Sequence, residues 1–300
     1  MASGDNKKQW TLLELVNWTT EYFEEKGIEN ARLNAELLLS HCLGMKERVM
    51  LYARFDRTVQ PQDQKQFRKL VKARADRQPL QYVIGSSEFY GREFRVDESV
   101  LVPRPETELL VDKCLEKIPG EGGALVAADI GTGSGAIAVT LACEREELRV
   151  VATDSSSAAL DIARANAAKH GVDGRVGFVE GHLCDPIPDR ILEGDPGLGL
   201  VASNPPYVPG DQLDELQPEV SEWEPRQALD GGPDGLDVIR ELVPSAAGLL
   251  RSGGWFVLEI GQGQSEAVRE IIEGVDSLES GSLEAVHDDS CERILAVPKI

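Results

Sequence analysis

A chain of 300 residues with 41% hydrophobic and 28% charged residues can bury a real core, which excludes a disordered polymer and suggests one large domain with a smaller one attached. No apolar run approaches the ~20 residues that cross a bilayer, and the opening MASGDNKKQW lacks the apolar stretch of a signal peptide, so the expectation is a cytoplasmic protein without membrane contact. The formal charge of -21 opposes binding to a nucleic-acid backbone, and five scattered cysteines with no C-x-x-C and no histidine at ligand spacing suggest neither disulfides nor a metal.

Residues 10–78 read as helical. Thr11 and Glu14 have capping-box spacing ahead of Leu12, Leu15, Val16, Tyr22 and Phe23. Asn30 offers a cap for a second helix carrying Leu33, Leu37, Leu38 and Cys42, and Gly44 offers its stop. A third helix over 61–77 lies between Pro61 and Pro79, so residues 1–78 are expected to form a small helical bundle domain. Residues 46–77 carry ten Lys/Arg against four acids, a net +6 that leaves -27 for the remainder. That basic face is either simply solvated or a docking surface for a partner.

From Gln81 the texture changes to glycines, aromatics and short alternating runs, which suits a β-hairpin linker over 79–103. An amphipathic helix after Glu106 (Leu109, Leu110, Val111, Cys114, Leu115) opens a domain spanning 104–300. Apolar strands are expected at 124–130, 149–153, 176–180, 198–203, 254–260, 283–287 and 292–297, alternating with helices. The fold class is therefore α/β, a Rossmann-like, mostly parallel seven-stranded sheet with helices on both faces and a helical bundle ahead of it.

Two stretches carry chemistry. In VAADIGTGSGAIAVTLA a strand runs into Gly131, Thr132, Gly133, Ser134 and Gly135 and then a helix, whose first N–H groups are expected to face an anionic group. The next strand ends in Asp154, about 20 residues on, where a carboxylate can hold ribose hydroxyls. The pattern points to an adenosine-containing ligand without naming it, since Gly131, Gly133 and Ala136 also satisfy the nicotinamide fingerprint G-x-G-x-x-A.

The second stretch is the strand LVAS stopped by Asn204-Pro205-Pro206-Tyr207. A planar amide nitrogen is a poor nucleophile because its lone pair is delocalised. A rigid loop that accepts both of its hydrogens, through the Asn204 side-chain oxygen and the Pro205 carbonyl, aims that lone pair at an electrophile. Tyr207 is expected to stack on the flat group. Such a loop suits methyl transfer from a sulfonium and has no use in hydride transfer.

Taken together, Gly131–Gly135, Asp154 and Asn204–Tyr207 resemble a class I S-adenosylmethionine-dependent methyltransferase acting on nitrogen. QPLQYVIGSSEFYG, VLVPRPETELLV, DIGTGSGAIA, SNPPYV, EPRQALDGGPDGLDVIREL, GGWFVLEIGQGQ and CERILA extend the resemblance to the protein-(glutamine-N5) methyltransferases of peptide chain release factors, over nearly the whole chain. The resemblance implies that Asn204, Pro205, Pro206 and Tyr207 hold the glutamine of a Gly-Gly-Gln loop, with Asn204, Pro205 and Tyr207 catalytic. It implies S-adenosyl-L-methionine, with no metal, held by Gly131, Thr132, Gly133, Ser134, Gly135, Asp154, Asn204 and, near the adenine, His182 and Leu183. It further implies class 1 release factors as protein partner, residues 1–78 as the recognition domain, 104–300 as the methyltransferase domain and a monomer.

His182 and Leu183 stand where the family commonly has an acidic residue and a larger side chain, and Trp223 stands where a tyrosine is frequent. The acidic, Pro/Gly-rich segment 209–235 is either a surface loop or, as the resemblance suggests, a cover over the cleft. DNA amino-methyltransferases share such a loop but need a basic duplex-gripping surface and a recognition insert, which this acidic chain lacks. Methylation of a ribosomal-protein glutamine is the nearer alternative, with RPETE at 104–108 favouring release factors. A non-catalytic scaffold would leave Asn204 before two prolines without a reason.

Overall fold

A computed structural model describes residues 9–45, 47–118, 125–187, 197–288 and 291–300. The chain divides into two units, 1–85 and 86–300. Among the described residues no helix is long and apolar enough to cross a membrane.

The first unit holds α1 (Leu12–Glu25), α2 (Ala31–Cys42), α3 (Val49–Ala53), α4 (Pro61–Ala75) and α5 (Leu80–Ile84). The capping box at α1 forms as expected: the Thr11 hydroxyl accepts the Glu14 N–H at 3.2 Å, and the Glu14 carboxylate accepts the Thr11 N–H at 2.9 Å. Asn30 stands at the N-cap position of α2 as expected, but not through a side-chain bond. Its backbone is left-handed (φ 51, ψ 40) and its side chain makes no capping bond, because that conformation turns the side chain away from the free N–H groups. Gly44, at φ +62, follows the end of α2, and Pro61 occupies the first turn of α4. Phe23, Leu38, Leu39 and Phe67 fill the core. Residues 80–84, expected to lead into a hairpin, instead form α5, because Leu80, Val83 and Ile84 find an apolar face against this core.

The second unit begins with the hairpin β1 (Ser86–Phe89) and β2 (Arg92–Arg95). Tyr90 and Gly91, both at positive φ (51 and 67), make its two-residue turn. There follow α6 (Thr107–Lys117), β3 (Val126–Ile130), α7 (Ala136–Glu144), β4 (Arg149–Asp154), α8 (Ser157–Lys169), β5 (Val176–Glu180) and β6 (Leu198–Ser203). The segment after β6 carries a short helix, α9 (Pro218–Ser221), and leads to α10 (Asp237–Leu249), β7 (Leu250–Glu259), α11 (Ser265–Glu273), β8 (Glu284–His287) and β9 (Glu292–Pro298). All seven expected strands are present; Ala124, where the first was expected to begin, lies outside the described residues.

These strands form one sheet in the order β5-β4-β3-β6-β7-β9-β8, parallel except for the antiparallel pairs made by β9. Strands β3 and β6 are central, and every residue of β6 is buried, as a parallel strand covered on both faces requires. One face packs against α6 and α7, the other against α10 and α11. The chain leaves β3 towards β4 and β5 but leaves β6 towards β7, so the order reverses between β3 and β6. A crevice opens at the carboxyl ends of such a pair.

Candidate active site

The crevice collects polar residues from four adjacent strand ends. Asp154 ends β4, Asp129 is next to last in β3, Asn204 directly follows β6 and Glu259 ends β7. Ile130 pairs with Thr153 on one side and Ser203 on the other, and Ser203 pairs with Leu258, which sets Asn204 and Glu259 one step further along neighbouring strands. A cavity of about 190 Å³ lies here. Gly131, Gly133, Asp154, His182, Leu183, Asn204 and Pro206 line it, together with Ser99–Leu101 and Pro225, Gln227 and Ala228. Thr132, Ser134, Gly135, Pro205 and Tyr207 are not among the lining residues.

The glycine side is built from backbone. Gly131, Gly133 and Gly135 are all left-handed (φ +73, +54 and +80). A Cβ at Gly131 or Gly133 would meet nothing within 4 Å, so both present open backbone to the cavity, whereas one at Gly135 would press on Ala163 of α8. Asp154 accepts the Gly133 N–H and the Ser156 N–H, each at 2.9 Å, and burial raises its carboxyl. The expectation of free N–H groups at the start of α7 is corrected at one of them, Ala138. Asp129 reaches over that first turn and accepts the Ala138 N–H at 3.0 Å and the Thr132 hydroxyl at 2.7 Å. Its other oxygen has no partner among the described residues, and full burial pushes the carboxyl up to about 7. Leu183 is held left-handed (φ 44) with its carbonyl accepting the Thr153 hydroxyl at 2.9 Å. The His182 ring meets Glu241 at 2.8 Å on the exposed rim.

The Asn204 side is built from side chains. Asn204 Nδ2 donates to Thr107 Oγ1 at 3.0 Å, Thr107 donates to Glu259 Oε2 at 2.8 Å, and the Tyr207 hydroxyl donates to Glu259 Oε1 at 3.2 Å. Glu259 is 1% exposed; burial pushes its carboxyl up to about 7 against the pull of these two hydroxyls and Arg293. Burial and the nearby carboxylate also push the Tyr207 phenol well up.

The loop 205–210 is clamped to the segment that follows it. Val208 donates to Leu229 and Gly231 donates back to Val208, both at 2.9 Å. Gln264 donates to the Tyr207 carbonyl at 2.9 Å. Arg104 pairs with buried Glu224 at 2.5 Å and tethers the segment 209–235.

Sequence reasoning missed Thr107, Glu259, Arg104, Glu224 and Gln264 as parts of this site. A signal existed for Glu259. Like Asp129 in VAADIG, it is one acidic residue closing an apolar strand, in WFVLEIG, and a carboxylate placed there must find partners inside the fold. Among the described residues no group of three or more His, Cys, Asp or Glu is arranged to hold a metal ion.

Comparison with known proteins agrees with this architecture. Residues 14–85 match the family model "PrmC N-terminal domain" and residues 105–219 match "Methyltransferase small domain". The catalytic domain of hMettl16, solved with the MAT2A 3'UTR hairpin 1, superposes at a TM-score of 0.54 over 81% of this chain and 83% of its own, at 14% identity, a likeness of fold alone. The release factor glutamine methyltransferase of Geobacter sulfurreducens is 47% identical over 86% of this chain and 87% of its own length. Those of Rhodopirellula baltica and Bacillus subtilis are 41% and 38% identical, each over 87% of this chain and over 87% and 89% of their own lengths. At that identity along most of both chains, with a glycine loop and an Asn-Pro-Pro-Tyr loop meeting at the sheet's switch point, the chain belongs to the release factor glutamine methyltransferases.

Proposed function

We propose that the protein transfers a methyl group from S-adenosylmethionine to the side-chain amide nitrogen, N5, of the glutamine in the Gly-Gly-Gln loop of a class 1 peptide chain release factor. The observation that carries this reading is the meeting of Asn204 with Gly131, Gly133 and Asp154 around one cavity. An amide-gripping side chain then stands beside the backbone that would hold the donor.

The residues fit that donor better than a nicotinamide dinucleotide. A pyrophosphate needs the N–H groups at the start of α7, and the chain's own Asp129 carboxylate already holds that of Ala138. The Asp154 carboxyl, which lines the cleft, disfavours phosphate there and suits a cationic sulfonium. Asp154 has lone pairs left after accepting two N–H groups, enough for ribose hydroxyls. Open backbone at Gly131 and Gly133 leaves room for the ligand to lie against the loop. His182 and Leu183 would border the adenine. When bound, the donor supplies an electrophilic methyl group.

The chain's residues supply position and polarity. Asn204 Oδ1, to which no described residue donates, accepts one hydrogen of the substrate amide, and the Pro205 carbonyl accepts the other. With both hydrogens held, the nitrogen lone pair is available for attack, and the proton is lost once the new bond has formed. Pro205 and Pro206 keep the loop stiff at no entropic cost on binding. Segment 209–235 lines the cavity through Pro225, Gln227 and Ala228 and acts as its cover.

Residues 1–78 are assigned to recognition of the protein partner. Leu13, Trp18, Leu33, Val49, Tyr52 and Phe55 are six of the seven large hydrophobic side chains exposed among the described residues, and such surface marks interaction sites. The test of the function is transfer of a labelled methyl group to purified release factor and to its Gly-Gly-Gln variant with Gln→Ala. Label is expected on the first alone, and label on the second would reject the acceptor.

A further inference from the structure

We infer that Thr107 and Glu259 are positioning residues that fix which end of the Asn204 amide faces the cleft. This rests on the reading of Asn204 as the acceptor of the substrate's amide hydrogens.

Proton supply sets the orientation. Thr107, the first residue of α6, is 4% exposed, and its hydroxyl has one proton to give. That proton goes to Glu259 Oε2 at 2.8 Å, on the end of β7, and an ionised carboxylate can only accept. With Glu259 ionised, Thr107 Oγ1 offers only lone pairs to its other neighbour, and the Asn204 atom 3.0 Å away has to be the NH₂ group. The amide oxygen then stands at the opposite edge, towards the cavity that Asn204 lines. With the amide reversed, oxygen would face oxygen across Thr107, and a donor would meet the donors of the substrate amide. The second Glu259 oxygen accepts the Tyr207 hydroxyl at 3.2 Å, so one buried carboxylate orders residues on both sides of the two prolines.

Glu259 is faced by Thr107 and Glu106 from the start of α6, by Tyr207 from the loop and by Arg293 from β9. Arg293 and the two hydroxyls favour the anion, while burial and Glu106 oppose it, and the balance at about 7 leaves the carboxylate ionised in mildly alkaline solution. Among the described residues no other side chain hydrogen-bonds the Asn204 amide. The three residues come from distant parts of the chain, 97 and 152 positions apart from Thr107, so the arrangement exists only in the folded state.

The test uses the full-length protein with Thr107→Val, which keeps the shape and removes the hydroxyl, and Thr107→Ser, which keeps the hydroxyl. Turnover and KM on release factor are read beside donor affinity by calorimetry and the side-chain amide signals of Asn204 in ¹⁵N spectra, assigned by their disappearance in Asn204→Asp. Thr107→Val is expected to lower kcat on the order of 10²-fold with donor affinity unchanged and the Asn204 amide signals shifted. Thr107→Ser is expected to recover most of the rate. A Val variant turning over at the wild-type rate overturns the inference. So does equal loss of rate and donor affinity in both variants, which would mean a collapsed site. Failure of the unaltered protein to methylate release factor would sink the functional reading instead. The amide signals then decide positioning alone, and signals unmoved in Thr107→Val overturn it.

Discussion

The two walls of the crevice are made differently. The glycine wall comes from two short, nearby stretches, 129–138 and 154–156, in which the Asp129 and Asp154 carboxylates accept backbone N–H groups. The Asn204 wall draws Thr107, the Asn204–Tyr207 loop and Glu259 from separate elements and joins them through side chains, with Gln264 holding the loop and the Arg104–Glu224 pair the segment after it. A surface that only binds can be local and shaped by φ angles. A surface that must present one atom of one amide in one direction needs a buried acceptor to dictate the direction.

If the walls have these separate tasks, variants on each will separate rate from affinity. Asn204→Ala is expected to lower the rate of methyl transfer by about 10²–10³-fold or more while donor binding stays nearly intact, as rate assays beside calorimetry would show. Equal loss of both would merge the walls. Asp154→Ala is expected to do the reverse, weakening donor binding by about 10–100-fold with much of the rate kept at saturating donor.

Stability offers a second contrast. Gly131 and Gly235 are both left-handed, at φ +73 and +77, but a Cβ at Gly131 meets nothing whereas one at Gly235 collides with the Tyr207 carbonyl. Gly131→Ala is expected to cost about 1 kcal/mol of backbone strain. Gly235→Ala is expected to cost about 3 kcal/mol and to slow transfer as well, since the Tyr207 segment must shift. Denaturant unfolding and rate assays on the pair would show it, and equal costs would contradict the clamped loop.

pH provides a third. Glu259 and Asp129, ordinarily at 4.5 and 3.8, are both pushed up to about 7 by burial. The unfolded chain sheds these protons first. The stability they contribute is therefore full below about pH 4, falls by up to about 1.4 kcal/mol per pH unit per group on the way to pH 7, and is absent above it. Glu259→Gln is expected to flatten part of that slope in thermal melts taken between about pH 5 and 7. Turnover should run the opposite way and rise through about pH 7, because an ionised Glu259 orients Asn204. The smallest effect is expected far from the chemistry. Val49→Ala with Phe55→Ala should raise KM for release factor severalfold and leave a short Gly-Gly-Gln peptide unaffected; a matching rise for the peptide would argue against partner recognition there.

The same contrast explains what could be read in advance. Strand ends, the glycine loop and the capping box at Thr11 are local patterns, and each of the seven strands stood out as an apolar run bounded by turns. Asn30 was legible as the N-cap position of α2, but the missing side-chain bond was not, because the left-handed backbone there is decided by the turn before it. Residues 80–84 misled because five residues cannot announce a helix whose reason is a neighbouring core. Asp129 was legible as the end of a strand but not as the group covering α7, and Thr107 looked like an ordinary first residue of a helix. Its hydroxyl acquires meaning only when Asn204 and Glu259 arrive on adjacent strands.

The most direct measurement is a crystal structure of the protein with S-adenosylhomocysteine and a Gly-Gly-Gln peptide. The account predicts the glutamine amide nitrogen within hydrogen-bond reach of both Asn204 Oδ1 and the Pro205 carbonyl, with Asn204 Nδ2 still on Thr107. A glutamine amide held elsewhere, or Asn204 with its oxygen turned onto Thr107, would contradict it.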